Sequence, residues 1–271
     1  MRVMITGRSG YLGTAIAGIL AGMGEPGVEL YPQVDRSLDW VIHLGWHANN
    51  TTGRNDVHEG CHLHTLRILE HVKAVCKDLK GFVFASSAAV YGHNDRTVSE
   101  TDPVNPETSY GQFKVKSELA VRNNFPDKYR IMRMGTLIGT PVEGTHFGPI
   151  NRQTLVNGML HTAKEECKIR VWNGGDYKPL VHVRDAARFY VETLTGLVPS
   201  GTYNVATDNL TTLKIASQCG SVSRICPELV EAEMPRRSCV MSCSYFLMRS
   251  KQEFILFPKA VEEVWERYKR F

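Results

Sequence analysis

Phe82-Val83-Phe84-Ala85-Ser86-Ser87, then Ala88-Ala89-Val90-Tyr91-Gly92, and after a polar loop Ser109-Tyr110-Gly111-Gln112-Phe113-Lys114, is the stretch that decides how the chain is read. The apolar run Phe82–Ala85 predicts a buried parallel strand ending in two serines. Pro103 and Pro106 stop any helix ahead of the second segment. Tyr110 and Lys114 are four residues apart, so on a helix they share a face. A lysine ammonium beside a phenol stabilises the phenolate and lowers its pKa from about 10. Such a tyrosine exchanges a proton with a substrate hydroxyl near neutral pH, and a serine at a strand end can hydrogen-bond the same oxygen. A Tyr-x-x-x-Lys pair alone is common by chance. Its weight comes from the serine-ended strand before it and from the glycine-rich turn that opens the chain.

That turn is Gly7-Arg8-Ser9-Gly10-Tyr11-Leu12-Gly13, between a strand at Arg2–Thr6 and a helix whose apolar stripe is Leu12, Ile16, Ile19, Leu20 and Met23. Glycines at this spacing let the backbone approach a pyrophosphate at the positive helix N-terminus. A buried strand is expected at Asp39–Leu44, with Gly45-Trp46-His47 passing beneath a cofactor, and a helix over about 60–77. Between the first helix and that strand lie only residues 24–39. Gly24-Glu25-Pro26-Gly27 reads as a turn and Val28–Tyr31 as one short strand. The eight residues Pro32–Asp39 reach about 26 Å at ~3.3 Å each, enough to recross a sheet. They are too few for a further strand with its crossover helix. The sheet is therefore expected to lack one outer strand.

Further along, strands are expected at Ile131–Met134 and Ile169–Trp172, and a loop at 135–141. A helix is expected to start in Val181-His182-Val183 and another to run over Val261–Tyr268. His58-Glu59-Gly60-Cys61-His62 matches the zinc-protease spelling H-E-x-x-H. Gly60 and an expected weak helix start argue against a metal, so no metal site is assigned.

Composition is that of an ordinary globular chain, 42% hydrophobic and 22% charged. A net charge of +4 suits small anionic substrates and gives no sign of nucleic acid. No apolar run approaches membrane-spanning length and no signal peptide is evident, so no membrane association is expected. The seven cysteines, an odd number without a C-x-x-C pair, read as reduced thiols of a cytoplasmic protein.

The chain resembles the extended short-chain dehydrogenase/reductase family, the nucleotide-sugar epimerases, dehydratases and reductases. The resemblance rests on Thr6-Gly7-x-x-Gly10-x-x-Gly13, Val41–Leu44, Ser86-Ser87-Ala88-x-Val90-Tyr91-Gly92, Tyr110-Gly111-x-x-Lys114 with Glu118, Val181-His182-Val183-x-Asp185 and Tyr203-Asn204-Val205. It implies an α/β fold, a Rossmann-type doubly wound parallel sheet with a smaller C-terminal substrate-binding region. The dinucleotide-binding part would be 1–140 with 181–205 returning to it, and the substrate part 141–180 with 206–271. It implies Ser87, Tyr110 and Lys114 as catalytic residues, Ser86 standing beside Ser87 as the fallback. Cofactor contacts would come from Gly7, Ser9, Gly10, Tyr11, Leu12, Gly13, Leu44, Gly45, Trp46, Thr136, Tyr110 and Lys114, with Asp35 and Arg36 bearing on the ribose. Asp35 would favour NAD, whereas Arg8 and Arg36 could hold the 2′-phosphate of NADP, and the reading leans to NAD. Ser87, Asn157, Lys178 and Arg237 would contact the substrate, a nucleoside-diphosphate sugar. His182 is expected to be structural.

Three departures from the family pattern stand out. Cys61 replaces an asparagine, Lys178 replaces an arginine, and Ala88-Ala89 follow the serine where dehydratases carry acids. The last disfavours a 4,6-dehydratase and leaves an epimerase, with a 4-keto-sugar reductase as the alternative and a non-catalytic dinucleotide-binding regulator as the reading of another class. A homodimer through the helices at about 60–77 and 108–124 is expected.

Overall fold

The structure, a computed structural model, describes residues 1–23, 28–45, 55–94, 96–141, 154–230, 235–249 and 253–269. The chain starts β1 (Arg2–Thr6), α1 (Tyr11–Gly22), β2 (Glu29–Tyr31), β3 (Trp40–His43), α2 (Asn55–Val75), β4 (Gly81–Ser87). A 3-10 turn at Ala88–Tyr91 leads to β5 (Thr97–Val98), α3 (Ser109–Asn124), β6 (Tyr129–Met134), β7 (Thr136–Ile138) and α4 (Leu155–Glu166). Then come β8 (Ile169–Val171), β9 (Tyr177–His182), α5 (Val183–Thr193), β10 (Gly201–Val205), β11 (Asp208–Thr211) and α6 (Thr212–Ser223). The chain closes with β12 (Pro227–Leu229), β13 (Val240–Met241), α7 (Ser244–Arg249) and α8 (Phe257–Lys269).

Six strands form one parallel sheet in the order β10-β6-β4-β3-β1-β2. Fully buried strands such as Trp40–His43 and Phe82–Phe84 need apolar cover on both faces, and they have it. Helices α1 and α5 cover one face around Val3, Ile16, Val83 and Met132, and α2 and α3 cover the other around Val41, Leu69, Phe84 and Ile131. Strand order reverses between β1 and β3, so the crevice for a ligand opens there, at the C-terminal ends of the strands. A third core, from Ile138, Leu160, Ile215 and Val261, lies under α4, α6 and α8. Cys239, Met241, Cys243 and Phe246 pack into the first core with α5, not into this C-terminal one.

Within the described residues 28–39 there is one strand, β2, at the edge of the sheet. The expected turn at 24–27 lies outside the described residues. After β2 the chain returns at once to the N-terminal edge, where Leu38 N–H donates to Asp35 O (3.2 Å) and Asp39 N–H to Arg2 O (2.9 Å).

Two local expectations are corrected, and one is met. The expected loop after Gly135 contains β7, which pairs with β9 in a second sheet ordered β11-β9-β7. Three residues between glycines are too short to show a period, and the partner is some 40 positions away. The motif around His182 opens a helix as expected: it closes β9, α5 starts at Val183, and His182 caps that helix by accepting the Arg184 N–H at Nδ1 (3.1 Å). Its Nε2 meets Glu263 of α8 (3.1 Å), so this histidine ties three elements together. Finally, α2 begins at Asn55, before Gly60. Gly60 is exposed, and its helix penalty of about 1 kcal/mol is outweighed by the apolar face that α2 buries with Leu69 and Val72.

Candidate active site

Helix α3 is built to press its first turn against the end of β4. Thr108 caps it, accepting the Gly111 N–H at Oγ1 (3.1 Å). A Cβ on Gly111 would stand 2.5 Å from Ala89 O and 2.9 Å from Pro106, so only glycine permits this approach. Tyr110, Lys114 and Glu118 then form one stripe toward β4. The Ser87 hydroxyl hydrogen-bonds the Tyr110 phenol. Lys114 Nζ donates to Ala85 O (2.6 Å) and lies 5.6 Å from the Tyr110 ring centroid and 4.9 Å from that of Phe84.

The two serines have different jobs. Ser86, on the face of β4 shared with Phe82 and Phe84, donates to Glu118 Oε1 (2.5 Å). Glu118 also receives Arg133 through Nε (3.1 Å) and a terminal nitrogen (2.9 Å). Arg133 donates to Tyr91 Oη (2.9 Å), and Tyr91 donates to Asn204 (2.7 Å). This buried network consumes Ser86 and fixes β4 to α3, leaving Ser87 to face Tyr110.

Burial, not the lysine, governs the acid–base state of the pair. It pushes the Tyr110 phenol up to about 12, with the Ser87 hydrogen bond opposing it. It also pushes Lys114 down to about 7, with Cys61 and Glu118 opposing. The expectation that Lys114 draws the phenol below 10 is thus reversed among the protein's own groups: a lysine that has lost much of its own charge to desolvation stabilises a phenolate little.

A cavity of about 550 Å³ joins these residues to the glycine turn. Gly7, Gly10, Tyr11, Leu12, Gly13, Leu44 and Gly45 line one part of it, Ser87, Ala88, Ala89, Tyr110 and Thr136 another, and Lys178 and Arg237 a third. The turn fits a pyrophosphate. Gly13 could not bear a Cβ, which would fall 2.2 Å from Gly7 O. No side chain caps the N-terminus of α1 and its first turn has no acid, so backbone N–H groups are available to an anion. Beneath it, Thr6 Oγ1 accepts the Leu44 and Gly45 N–H groups (3.1 Å each) and bonds His43 Nδ1 (2.7 Å).

Other expected contacts lie elsewhere. Asp35 and Arg36 are a correction: they sit at the opposite, N-terminal edge of the sheet. Asp35 accepts the Ser37 N–H (2.8 Å) and hydroxyl on its side chain and the Cys76 thiol on its carbonyl (3.0 Å). Asn157 is fully buried behind the cavity wall, its amide against Tyr11 Oη (3.5 Å). Lys114 likewise stands behind the lining, and Ser9 is exposed in the turn. Trp46 and His47 lie outside the described residues, as do 146–153.

Both histidines of the H-E-x-x-H spelling are on α2, so the expected weak helix start does not hold. They are nevertheless engaged separately: His58 stacks edge-on to Tyr110 (5.5 Å between centroids) and His62 Nδ1 bonds Ser117 Oγ (2.8 Å). Among the described residues no three His, Cys, Asp or Glu side chains form a metal-binding group. No helix of the described residues is long and apolar enough to cross a membrane.

Two residues were not legible as site residues. Asp176 is a buried clamp that accepts the Arg237 N–H (2.7 Å) and the Arg236 Nε–H (3.2 Å) and lies 3.7 Å from Lys178 Nζ. Burial opposes its charge, but those donors outweigh it and hold the carboxyl below its usual range. Lys178 also donates to Arg237 O (2.7 Å), so one acid arranges both cations. An acid two positions before Lys178 was the available signal. Glu107 is the one carboxylate in the cavity lining among the described residues, and it accepts the His93 N–H (3.2 Å). Nothing in an exposed loop acid announced that place.

The sequence matches the NAD dependent epimerase/dehydratase family over residues 28–206. No curated protein matches it. Among solved structures, MoeE5 in complex with UDP-glucuronic acid and NAD superposes with a TM-score of 0.82 at 18% identity, covering 100% of this chain and 99% of that one. UDP-glucuronic acid 4-epimerase from Bacillus cereus in complex with NAD gives 0.81 at 15%, covering 100% and 97%. RMD from Pseudomonas aeruginosa complexed with NADPH gives 0.78 at 17%, covering 99% of each. At these identities the likeness is one of fold.

Proposed function

The chain belongs to the NAD dependent epimerase/dehydratase family, and from that premise we propose that it acts on a nucleoside-diphosphate sugar, epimerising it with Tyr110 as acid/base. The observation that carries this reading is the meeting of Ser87, Tyr110 and Lys114 at one part of a cavity whose other part is the glycine cradle. A bound nicotinamide dinucleotide would supply hydride transfer. The chain's own residues handle the proton. Tyr110 Oη takes it from a sugar hydroxyl or returns it to a carbonyl, Ser87 orients that oxygen, and Lys114 buffers the exchange from behind. Lys178 and Arg237, gathered by Asp176, offer positive charge to a diphosphate. Ala88 and Ala89 line the cavity without a titratable group, which weighs against elimination of water.

A reductase acting on a 4-keto sugar is favoured by one observation: the Tyr110 phenol, at about 12, holds its proton at neutral pH and is poised to donate it. The proposal also includes a homodimer through the paired helices α2 and α3, whose Leu63 and Leu119 are 46% and 58% exposed.

The test is Tyr110→Phe, with turnover of a panel of nucleotide sugars and dinucleotide binding measured together. Turnover should vanish and binding stay within about threefold, since only the proton-transferring oxygen is lost. A variant that retains most of its kcat would refute the assignment.

A further inference from the structure

We infer that Glu107 sets the sugar specificity of this site, which takes a nucleoside diphosphate bearing an uncharged sugar and turns away one bearing a uronic acid; the inference rests on the nucleotide-sugar reading above. Among the described residues the cavity lining holds three charged side chains, Glu107, Lys178 and Arg237. The two cations stand together, gathered by Asp176. They serve the diphosphate, while Ser87 and Tyr110 meet the reacting carbon, so the sugar ring spans the room between. Glu107 borders that span, and its place is fixed from both sides. It stands three residues before Tyr110 and one before Thr108, the cap of α3. Asn105 N–H donates to Val90 O (3.0 Å), which lays this segment on the turn that follows β4. A Cβ on Gly92 would run into Asn105 O and come 3.3 Å from Glu107 Cγ, so the two stretches touch. On the other side His93 N–H donates to Glu107 Oε1 (3.2 Å). His93 Nδ1 in turn accepts the N–H of Ser238 (3.1 Å), the neighbour of Arg237.

A carboxylate in this place answers the two kinds of sugar oppositely. It accepts a charge-assisted hydrogen bond from a sugar hydroxyl. A uronate brings a second negative charge into the same span, and like charges set against each other across an interface repel. A uronate also needs a cation once it leaves water. The described lining offers none on the sugar side: Lys178 and Arg237 are at the diphosphate end, and Lys114 is buried behind the wall. Ala88 and Ala89, on the same part of the wall as Tyr110, bring no charge of either sign. Glu107 is itself exposed at the rim, so water and salt screen its repulsion. The discrimination is therefore moderate in size and falls as ionic strength rises.

The experiment is isothermal titration of the full chain, wild type and Glu107→Gln, with two matched pairs of probes: UDP-glucose with UDP-glucuronic acid, and GDP-mannose with GDP-mannuronic acid. The members of each pair differ only in a hydroxymethyl or a carboxylate group on the sugar. In any pair that binds, wild type should hold the neutral member at least about fivefold more tightly. Glu107→Gln should gain about fivefold in affinity for the uronate, a gain that damage to the fold cannot produce, and should lose about twofold for the neutral sugar. Raising the salt from about 0.05 M to about 0.5 M should narrow the wild-type preference and leave that of the variant where it is. A wild type that binds the uronate as tightly as the neutral sugar would overturn the inference and leave the proposed function standing. So would a preference that Glu107→Gln leaves unchanged. Binding of none of the four probes would overturn the proposed function, and this inference with it.

Discussion

His43 offers a test of how the cofactor floor is held. Its ring is buried at the end of β3, bonded through Nδ1 to Thr6 Oγ1 (2.7 Å) and through Nε2 to Thr65 Oγ1 (3.0 Å). Burial pushes its pKa down from 6.5 to about 3, with Lys114 and His64 adding to the effect. The unfolded chain therefore takes up a proton on this residue between pH 6.5 and 3 that the folded chain refuses. A depressed histidine contributes stability that is fully present above its unfolded pKa and is lost as pH falls toward its folded one. At pH 5 the loss is about 1.5 pH units times 1.36 kcal/mol, or about 2 kcal/mol relative to pH 7. His43→Gln keeps polar atoms near both threonines but does not titrate. Urea unfolding of both proteins from pH 7.5 to 5 should give curves that converge by about 2 kcal/mol as the wild type weakens. Parallel curves would refute the buried neutral histidine and, with it, this account of how Thr6 is oriented to hold Leu44 and Gly45.

Lys114→Met is expected to lower turnover by about a hundredfold or more and to weaken dinucleotide binding; a wild-type pH–rate profile and affinity would make Lys114 a packing residue only. Glu118→Ala leaves Arg133 buried at 4% side-chain exposure without its main partner and frees Ser86. The expected loss is about 3–5 kcal/mol by chemical denaturation, and a loss below about 1 kcal/mol would mean the network is solvated. Asp176→Asn should raise KM for the nucleotide sugar about tenfold with kcat nearly unchanged, because the clamp acts on binding and not on proton transfer. A fall in kcat with KM fixed would count against that role.

The parts legible in sequence were those written in local chemistry. Phe82–Ala85 announces a buried strand because nothing else explains an uncharged run ending in serines before a turn. The glycine turn is legible because Gly13 answers a steric demand within a few residues of itself. The missing strand could be seen because chain length sets a hard limit, and one strand is what the described part of 28–39 contains. What failed was nonlocal. Asp35 sits at a plausible distance in sequence from the glycine turn, but register, not count, decides which edge a residue occupies. The β7 strand exists only because β9 pairs with it. Asp176 gains its role from a segment some 60 residues later. The Tyr110 phenol departs from what a Tyr–Lys pair does in water because both groups are desolvated together.

That shared desolvation bears on how the pair works. With Lys114 at about 7 and Tyr110 at about 12, the protein's own groups favour a protonated phenol and a lysine divided between its two forms. Taking a proton from a sugar hydroxyl requires the phenolate, which is costly in this setting. Returning one to a carbonyl requires the phenol, which is the resting form. An enzyme that works in both directions must lower the phenol's pKa by adding positive charge near it, and the lysine can supply that charge only when it is itself protonated. His58 is barred from the role: burial holds its pKa down, and Lys114 lowers it further. Glu118, the acid on the same stripe, opposes the fall in the Lys114 pKa but shares its own charge with Arg133. Neutralising Glu118 would therefore be expected to alter the pH–rate profile in both directions, since hydroxyl oxidation starts from the phenolate and carbonyl reduction leaves the phenolate behind, and the ammonium stabilises it in either case. Glu118→Gln, which retains hydrogen bonding to Ser86 and Arg133, is the variant for this, with the two directions assayed separately. Unchanged pH–rate profiles in both directions would show that Lys114 acts on the fold of the site and not on the proton.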